Sequence, residues 1–276
     1  MFADDLKLYS THKSNNDKIQ CDISNVEKWS SAWQLRLNNE KCHFLQLGRK
    51  KADQTSYYLT DATISSFVPI SKVSHVKDLG VHIDENLNFE KQVAECTKKA
   101  NGILASIKRT IKFINGDTFK LLYKSLVRPI LELTGSVWNP YKLKHIRSLE
   151  SVQRRATKLV RAIKDLPYED RLRTLDLPTL TYRRSRGDMI STFKIFKGYI
   201  DIDPSIFFKL NDNVTRGHSL KIYKKRSNTT IRKTFFSQRV INQWNDLPAS
   251  IINLTSVLEF EKAYDRHMSD NKFIVS

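Results

Sequence analysis

Cysteine is scarce in this chain, and the few cysteines present do not cluster. Cys21, Cys42 and Cys96 lie far apart with no CxxC pair, which excludes a disulfide framework and a zinc knuckle. No apolar run approaches the ~18–20 residues that a spanning helix needs, so no membrane partner is expected. Asp4 and Asp5 interrupt any secretory leader at once. Low-complexity tracts and internal repeats are missing as well. The most telling shortage is acid: 29 Asp plus Glu stand against 47 Lys plus Arg, a formal net charge of +18. Together these absences point to an intracellular, reduced setting and a polyanionic partner, most simply nucleic acid. What is present is ordinary globular material. The 276 residues are 40% hydrophobic and 10% aromatic, enough to bury a real core as one large domain or two.

Apolar spacing divides the chain. Ile19, Ile23, Val26, Trp29 and Trp33 recur at helical intervals, predicting a helix over 17–35. Short strands are expected at 43–48, 57–59, around Ile64, and at 67–70 and 76–83. After Asp84 the character changes to long helices. Val93, Cys96, Ala100, Leu104, Ile107 and Ile111 form one stripe, with Asn115-Gly116 read as its C-cap and Asp117 as the next N-cap. Pro129 is expected to kink the helix that follows. A third basic helix is predicted over 142–164, then helices over 169–175 and 180–199. Beyond Asp201 the pattern is mixed, with strand-like runs at 220–223 and 229–231 and a helix over 235–245. The tryptophans Trp29, Trp33 and Trp138 are expected in the core. The fold class is α+β, with boundaries at 1–85, 86–200 and 201–276.

Positive charge is placed unevenly. Residues 142–164 hold Lys142, Lys144, Arg147, Arg154, Arg155, Lys158, Arg161 and Lys164 against the single acid Glu150. If the apolar stripe packs inward, the cations project outward, a shape suited to tracking a phosphate backbone. Residues 213–245 hold Arg216, Lys221, Lys224, Lys225, Arg226, Arg232, Lys233 and Arg239 and no acid at all. Tyr223, Phe235 and Phe236 interleave with them, as expected where bases stack. The plainer alternative for either block is a solvated face. The two are expected to form one electropositive clamp for a duplex.

At the start of the chain stands Phe2-Ala3-Asp4-Asp5, followed by the alternating Leu6-Lys7-Leu8-Tyr9. Adjacent carboxylates share a metal only in a tight turn, where oxygen ligands suit hard divalent cations; the plainer alternative is a solvated turn or a cap. Read with Trp33 to Lys41 (W-Q-L-R-L-N-N-E-K), Asp78-Leu79-Gly80-Val81, Arg128-Pro129, Ser136-Val137-Trp138-Asn139-Pro140, Val152-Gln153-Arg154-Arg155-Ala156, Arg216-Gly217-His218-Ser219-Leu220 and the stretch 235–248, the chain resembles the carboxyl-terminal part of reverse transcriptases from non-LTR (LINE-type) retrotransposons, most like the jockey-type elements. The order of these segments matches over essentially the whole length.

The resemblance implies a partial palm, made of a helix and a small antiparallel sheet with a primer-grip-like hairpin. A mostly helical thumb and a basic tail follow it. It implies an RNA-directed DNA polymerase in which Asp4 and Asp5 hold Mg²⁺ and Lys41 approaches the departing pyrophosphate. Leu79, Gly80 and Val81 would form the primer grip. Arg147, Arg154, Arg155, Lys158 and Arg161, with Lys224, Lys225, Arg226, Arg232 and Lys233, would contact an RNA template, a DNA primer or their hybrid, in cytoplasm and nucleus. Two features depart from the family. Phe2 stands where many relatives carry Tyr, and the strand bearing a third carboxylate, with the fingers, would precede residue 1. The expectation is therefore a fragment inactive alone, or a nucleic-acid-binding remnant with no catalytic activity.

Overall fold

The structure, a computed structural model, describes residues 6–10, 16–35, 37–48, 56–61, 66–211 and 217–274. It is α+β and divides into two compact units, Met1–Leu87 and Asn88–Ser276.

In the first unit, α1 (Asn16–Ala32) lays Ile19 and Ile23 on a small core with Tyr57, Leu59, Phe44 and Ile70. Six short strands follow: β1 (His43–Leu45), β2 (Tyr58–Asp61), β3 (Ser66–Pro69), β4 (Ser71–Val73), β5 (His75–Asp78) and β6 (Val81–Asp84). They pair two by two. β2–β3 and β5–β6 are antiparallel, whereas β1–β4 is parallel. Side chains of α1 finish the exposed edge of β2. Gln20 donates to the Tyr58 carbonyl at 2.9 Å and accepts from its N–H at 3.0 Å, and Glu27 accepts from the Thr60 N–H. Satisfying an edge this way removes a template for unwanted pairing.

Two expected core residues are not in the core. Trp29 is 41% exposed and Trp33 69% exposed. Trp29 lies at the margin of the stripe set by Ile19, Ile23 and Val26. α1 stops at Ala32, and Gln34 takes a left-handed conformation (φ 56°), which turns the chain before Trp33 can continue the stripe.

The second unit begins with α2 (Glu90–Thr110), whose buried stripe is Val93, Cys96, Ala100, Leu104 and Ile107. The Asn115-Gly116 pair does not close it. Asn115 instead caps α3 (Gly116–Leu122), its side chain accepting from Thr118 N–H, and Asp117 falls inside the first turn. Next comes a π-helical turn, Tyr123–Val127, in which the Arg128 N–H reaches back to the Tyr123 carbonyl. α4 (Arg128–Glu132) carries Pro129 in its first turn, so the expected kink takes the form of a widened turn ahead of the proline. α5 (Gly135–Trp138) ends on the fully buried Trp138, whose indole N–H bonds the Leu133 carbonyl at 2.7 Å.

α6 (Leu143–Thr157) is shorter than the predicted 142–164 and about 22 Å long. Val160 and Ile163 remain buried, but on a loop and a 3-10 turn, Arg161–Ile163. α7 (Tyr168–Leu175) and α8 (Leu180–Phe196) follow as expected. Past residue 200 the chain adds α9 (Thr230–Thr234), α10 (Phe236–Arg239), α11 (Ile241–Asp246), α12 (Ala249–Ile252) and α13 (Val257–His267). The strand expected at 220–223 is reduced to a single bridge, Leu210–Ile222. Residues 229–231 open a helix, because the Thr229 hydroxyl caps α9. This tail shares one core with α8: Met189 and Phe193 are buried together with Phe236, Trp244, Phe260 and Tyr264. Phe193 and Phe260 stack at 4.2 Å. Among the described residues no helix is long and apolar enough to cross a membrane.

Candidate nucleic-acid interface

Asp4, Asp5 and Arg216, and with them the expectation of Mg²⁺, lie outside the described residues. Among the described residues no group of three or more His, Cys, Asp or Glu could hold a metal ion. Lys41 ends a 3-10 turn, Asn39–Lys41, fixed by the Asn38 side chain at 3.2 Å from its N–H; its own side chain is exposed. Leu79 and Gly80 form the two-residue turn joining β5 and β6, both with positive φ (44° and 85°). That twist suits a tight hairpin. Glycine takes the conformation freely, whereas a leucine there stores about 1–2 kcal/mol. Leu79 points into solvent and Val81 is buried.

The block on α6 forms one coherent face. His145, Leu149, Val152 and Ala156 are buried, while Lys144, Arg147, Arg154, Arg155 and Lys158 are exposed. Spacings of seven and four put Arg147, Arg154 and Lys158 in one row. Lys144 pairs with Glu90 at 2.6 Å. Arg147, Arg154, Arg155 and Lys158 pair with no carboxylate among the described residues. Two cations lie over rings: Arg154 over Tyr168 at 4.8 Å, and Arg161, past the helix end, over the exposed Phe113 at 5.3 Å.

The one acid of the block is turned inward. Glu150 is buried, accepting from the Tyr168 hydroxyl at 2.7 Å and from the Leu180 N–H at 3.0 Å. Burial pushes its carboxyl above the ordinary range, and those two bonds together with Arg184 and Arg154 oppose the push. Beside it the Gln153 amide spans the interior, taking the Tyr123 hydroxyl at 2.5 Å and donating to the Pro178 carbonyl at 3.0 Å. Arg171 ties α7 to the end of α6 through the Arg154 carbonyl and the Thr157 hydroxyl. This buried knot fixes α6 against the start of α8, and it takes the helix's one acid off the outward face; Glu90 pairs with Lys144 there, and Glu169 and Asp170 share a pocket with Arg154.

The second block divides. Arg239 is an internal residue, with its guanidinium on both oxygens of Asp188 at 2.8 Å and on the Ser136 carbonyl. Lys221 is half-buried. The exposed remainder is Lys224, Lys225, Arg226, Arg232 and Lys233. Of the interleaved aromatics, Tyr223 and Phe235 are exposed while Phe236 is buried. α6 meets α8 through Glu150 and Gln153 at its amino end, whereas the tail packs on the stripe of Tyr182, Met189 and Phe193. The tail also reaches α8 through Arg239 on Asp188.

Sequence reasoning missed the ion pairs that hold the tail. Arg186 grips Asp265 at 2.7 and 3.0 Å and Glu261 at 3.0 Å, and the Tyr182 hydroxyl bonds Asp265. Their partners are some eighty residues apart, and no local pattern joins them. Burial pushes the Cys96 thiol up to about 11, which disfavours the thiolate. Comparison with protein-family models, with curated proteins and with solved structures finds no match for this chain.

Proposed function

We propose that this chain grips a nucleic-acid duplex through the outward face of α6, as the thumb of a reverse transcriptase grips template and primer. The observation that carries this reading is the row Arg147, Arg154 and Lys158, flanked by Arg155, on a helix whose one acid is withdrawn into the interior. Lattices of phosphates reward such rows through counterion release, a gain that does not depend on base sequence. The reading extends to the polymerase itself by resemblance. Asp4 and Asp5 would hold Mg²⁺, Lys41 would meet the leaving pyrophosphate, and the Leu79-Gly80 turn would lie against the primer with Val81 buried behind it, in the cytoplasm or nucleus of the cell.

Binding of an RNA–DNA hybrid, measured across salt concentration, tests the grip. The expected result is a log K that falls steeply with log salt. In the triple variant Arg147→Ala, Arg154→Ala, Lys158→Ala the slope should be shallower by about 3. A flat salt dependence, or an unchanged slope in the triple variant, would leave α6 as a solvated scaffold helix. Primer extension tests the polymerase reading separately: Mg²⁺-dependent extension that disappears in Asp4→Ala supports it, and its absence from the intact chain favours a binding remnant.

A further inference from the structure

We infer that residues 223–235 form a second nucleic-acid site, separate from α6, which takes single-stranded nucleic acid by stacking its bases on Tyr223 and Phe235. The segment has no helix or sheet pairing from 223 to 229, yet it is pinned at both ends. At the start, Ile222 is buried and the Asn245 side chain bonds both its N–H and its carbonyl at 2.9 Å. The Trp244 indole holds the Leu220 carbonyl, and the Tyr223 N–H bonds Lys209. At the far end the Thr229 hydroxyl caps α9, and Phe236 enters the core. Pinned ends lower the ordering cost of binding, because the strap is already held in place.

What the strap displays is consistent in chemistry. Lys224, Lys225, Arg226, Arg232 and Lys233 are exposed, and none pairs with a carboxylate among the described residues. The two rings left outside are each backed by a cation. Lys209 lies over Tyr223 at 5.7 Å and Arg232 over Phe235 at 5.5 Å, with the rings 49% and 44% exposed. Rings beside cations suit a ligand that offers a flat π-face and an anion at each repeat, which describes an unpaired strand. A duplex keeps its base faces stacked inside and gives the rings nothing to hold. An anionic membrane would draw on the same cations and rings, so vesicle binding is measured beside the oligonucleotides, and vesicle binding lost with the rings overturns the inference.

This site deepens the proposed nucleic-acid reading but rests on different residues, so the two fail separately. The probes are oligo(U) and oligo(dT) of about 12 nucleotides, an RNA–DNA hybrid, and phosphatidylserine vesicles, each measured against the full-length chain. Tyr223→Ala with Phe235→Ala should weaken oligonucleotide binding about tenfold or more while leaving hybrid and vesicle binding unchanged. Lys224→Gln, Lys225→Gln and Arg226→Gln together should make the single-strand salt slope shallower by about 2. A preference for oligo(U) over oligo(dT) would assign the site to RNA, and equal binding to single strands in general. Both ring substitutions lie at exposed positions, so an unchanged urea midpoint confirms that the fold is intact. Oligonucleotide binding unaffected by the ring variant, or lost equally in the α6 triple variant, overturns the inference.

Discussion

The two units of this chain solve the problem of burial differently. Among the described residues of 1–87, Ile23, Tyr57 and Leu59 form a small core between α1 and β2, while Trp29 and Trp33 stay in solvent. Residues 88–276 bury two tryptophans completely, stack Phe193 on Phe260, and anchor their interior with the Asp188–Arg239 and Asp265–Arg186 pairs. Stability scales with apolar area removed from water, and among the described residues the larger buried cores lie in the second unit. The lesson concerns function too. Both cationic surfaces belong to the well-packed unit, where rigid backing holds a charged row in place.

The largest test of this contrast is Trp244→Ala. Removing a fully buried indole should cost about 3–5 kcal/mol and should lower the urea midpoint of the helical signal. Amide exchange in α1 and the strands should stay as it was. A loss of protection in both units together would show that they unfold as one.

A smaller effect is expected from acid. Burial raises the Asp265 carboxyl, but the bonds from Arg186 and Tyr182 outweigh it and hold the group below the ordinary carboxylate range. The folded state therefore binds fewer protons than the unfolded one in that window. Its stabilising contribution is complete above about pH 4 and is lost as pH falls through the lower folded value. Asp265→Asn should lie well below wild type in urea midpoint at about pH 7, with the gap closing as pH falls below the ordinary carboxylate range. A gap that persists undiminished at low pH would assign the loss to packing instead. The smallest effect is expected from Trp33→Ser in the first unit, within about 0.5 kcal/mol. A larger loss would mean that the exposed indole is covered in solution.

Much of the second unit was legible because its helices carry long, regular stripes, as in α2, α6 and α8. The outward cations of α6 followed from the same periodicity. What escaped was set by short-range competition or long-range pairing. Asn115 looked like a helix end but serves as a helix start, a choice decided by where its carbonyl oxygen finds an N–H. Thr229-Thr230-Ile231 has strand-forming side chains, yet one hydroxyl caps a turn of helix. The helix over 257–267 had a readable signal in Ser256 and Glu259, three apart, where the Ser256 hydroxyl accepts from the Glu259 N–H. The inward turn of Glu150 had none, because only tertiary packing brings Tyr168 and the Leu180 N–H to it.

The widened turn at Tyr123–Val127 has a consequence for how this chain tolerates changes in length. A π turn holds one residue more than the α-helical path between the same two ends. Deleting a residue there would leave α3 and α4 in their present phase. The same deletion inside α2 or α6 would rotate everything downstream by about 100° and throw a buried stripe into water. A one-residue deletion at this turn therefore keeps the buried stripes in phase, and its cost is that of Pro129 in a straightened helix, where the proline has no N–H to give.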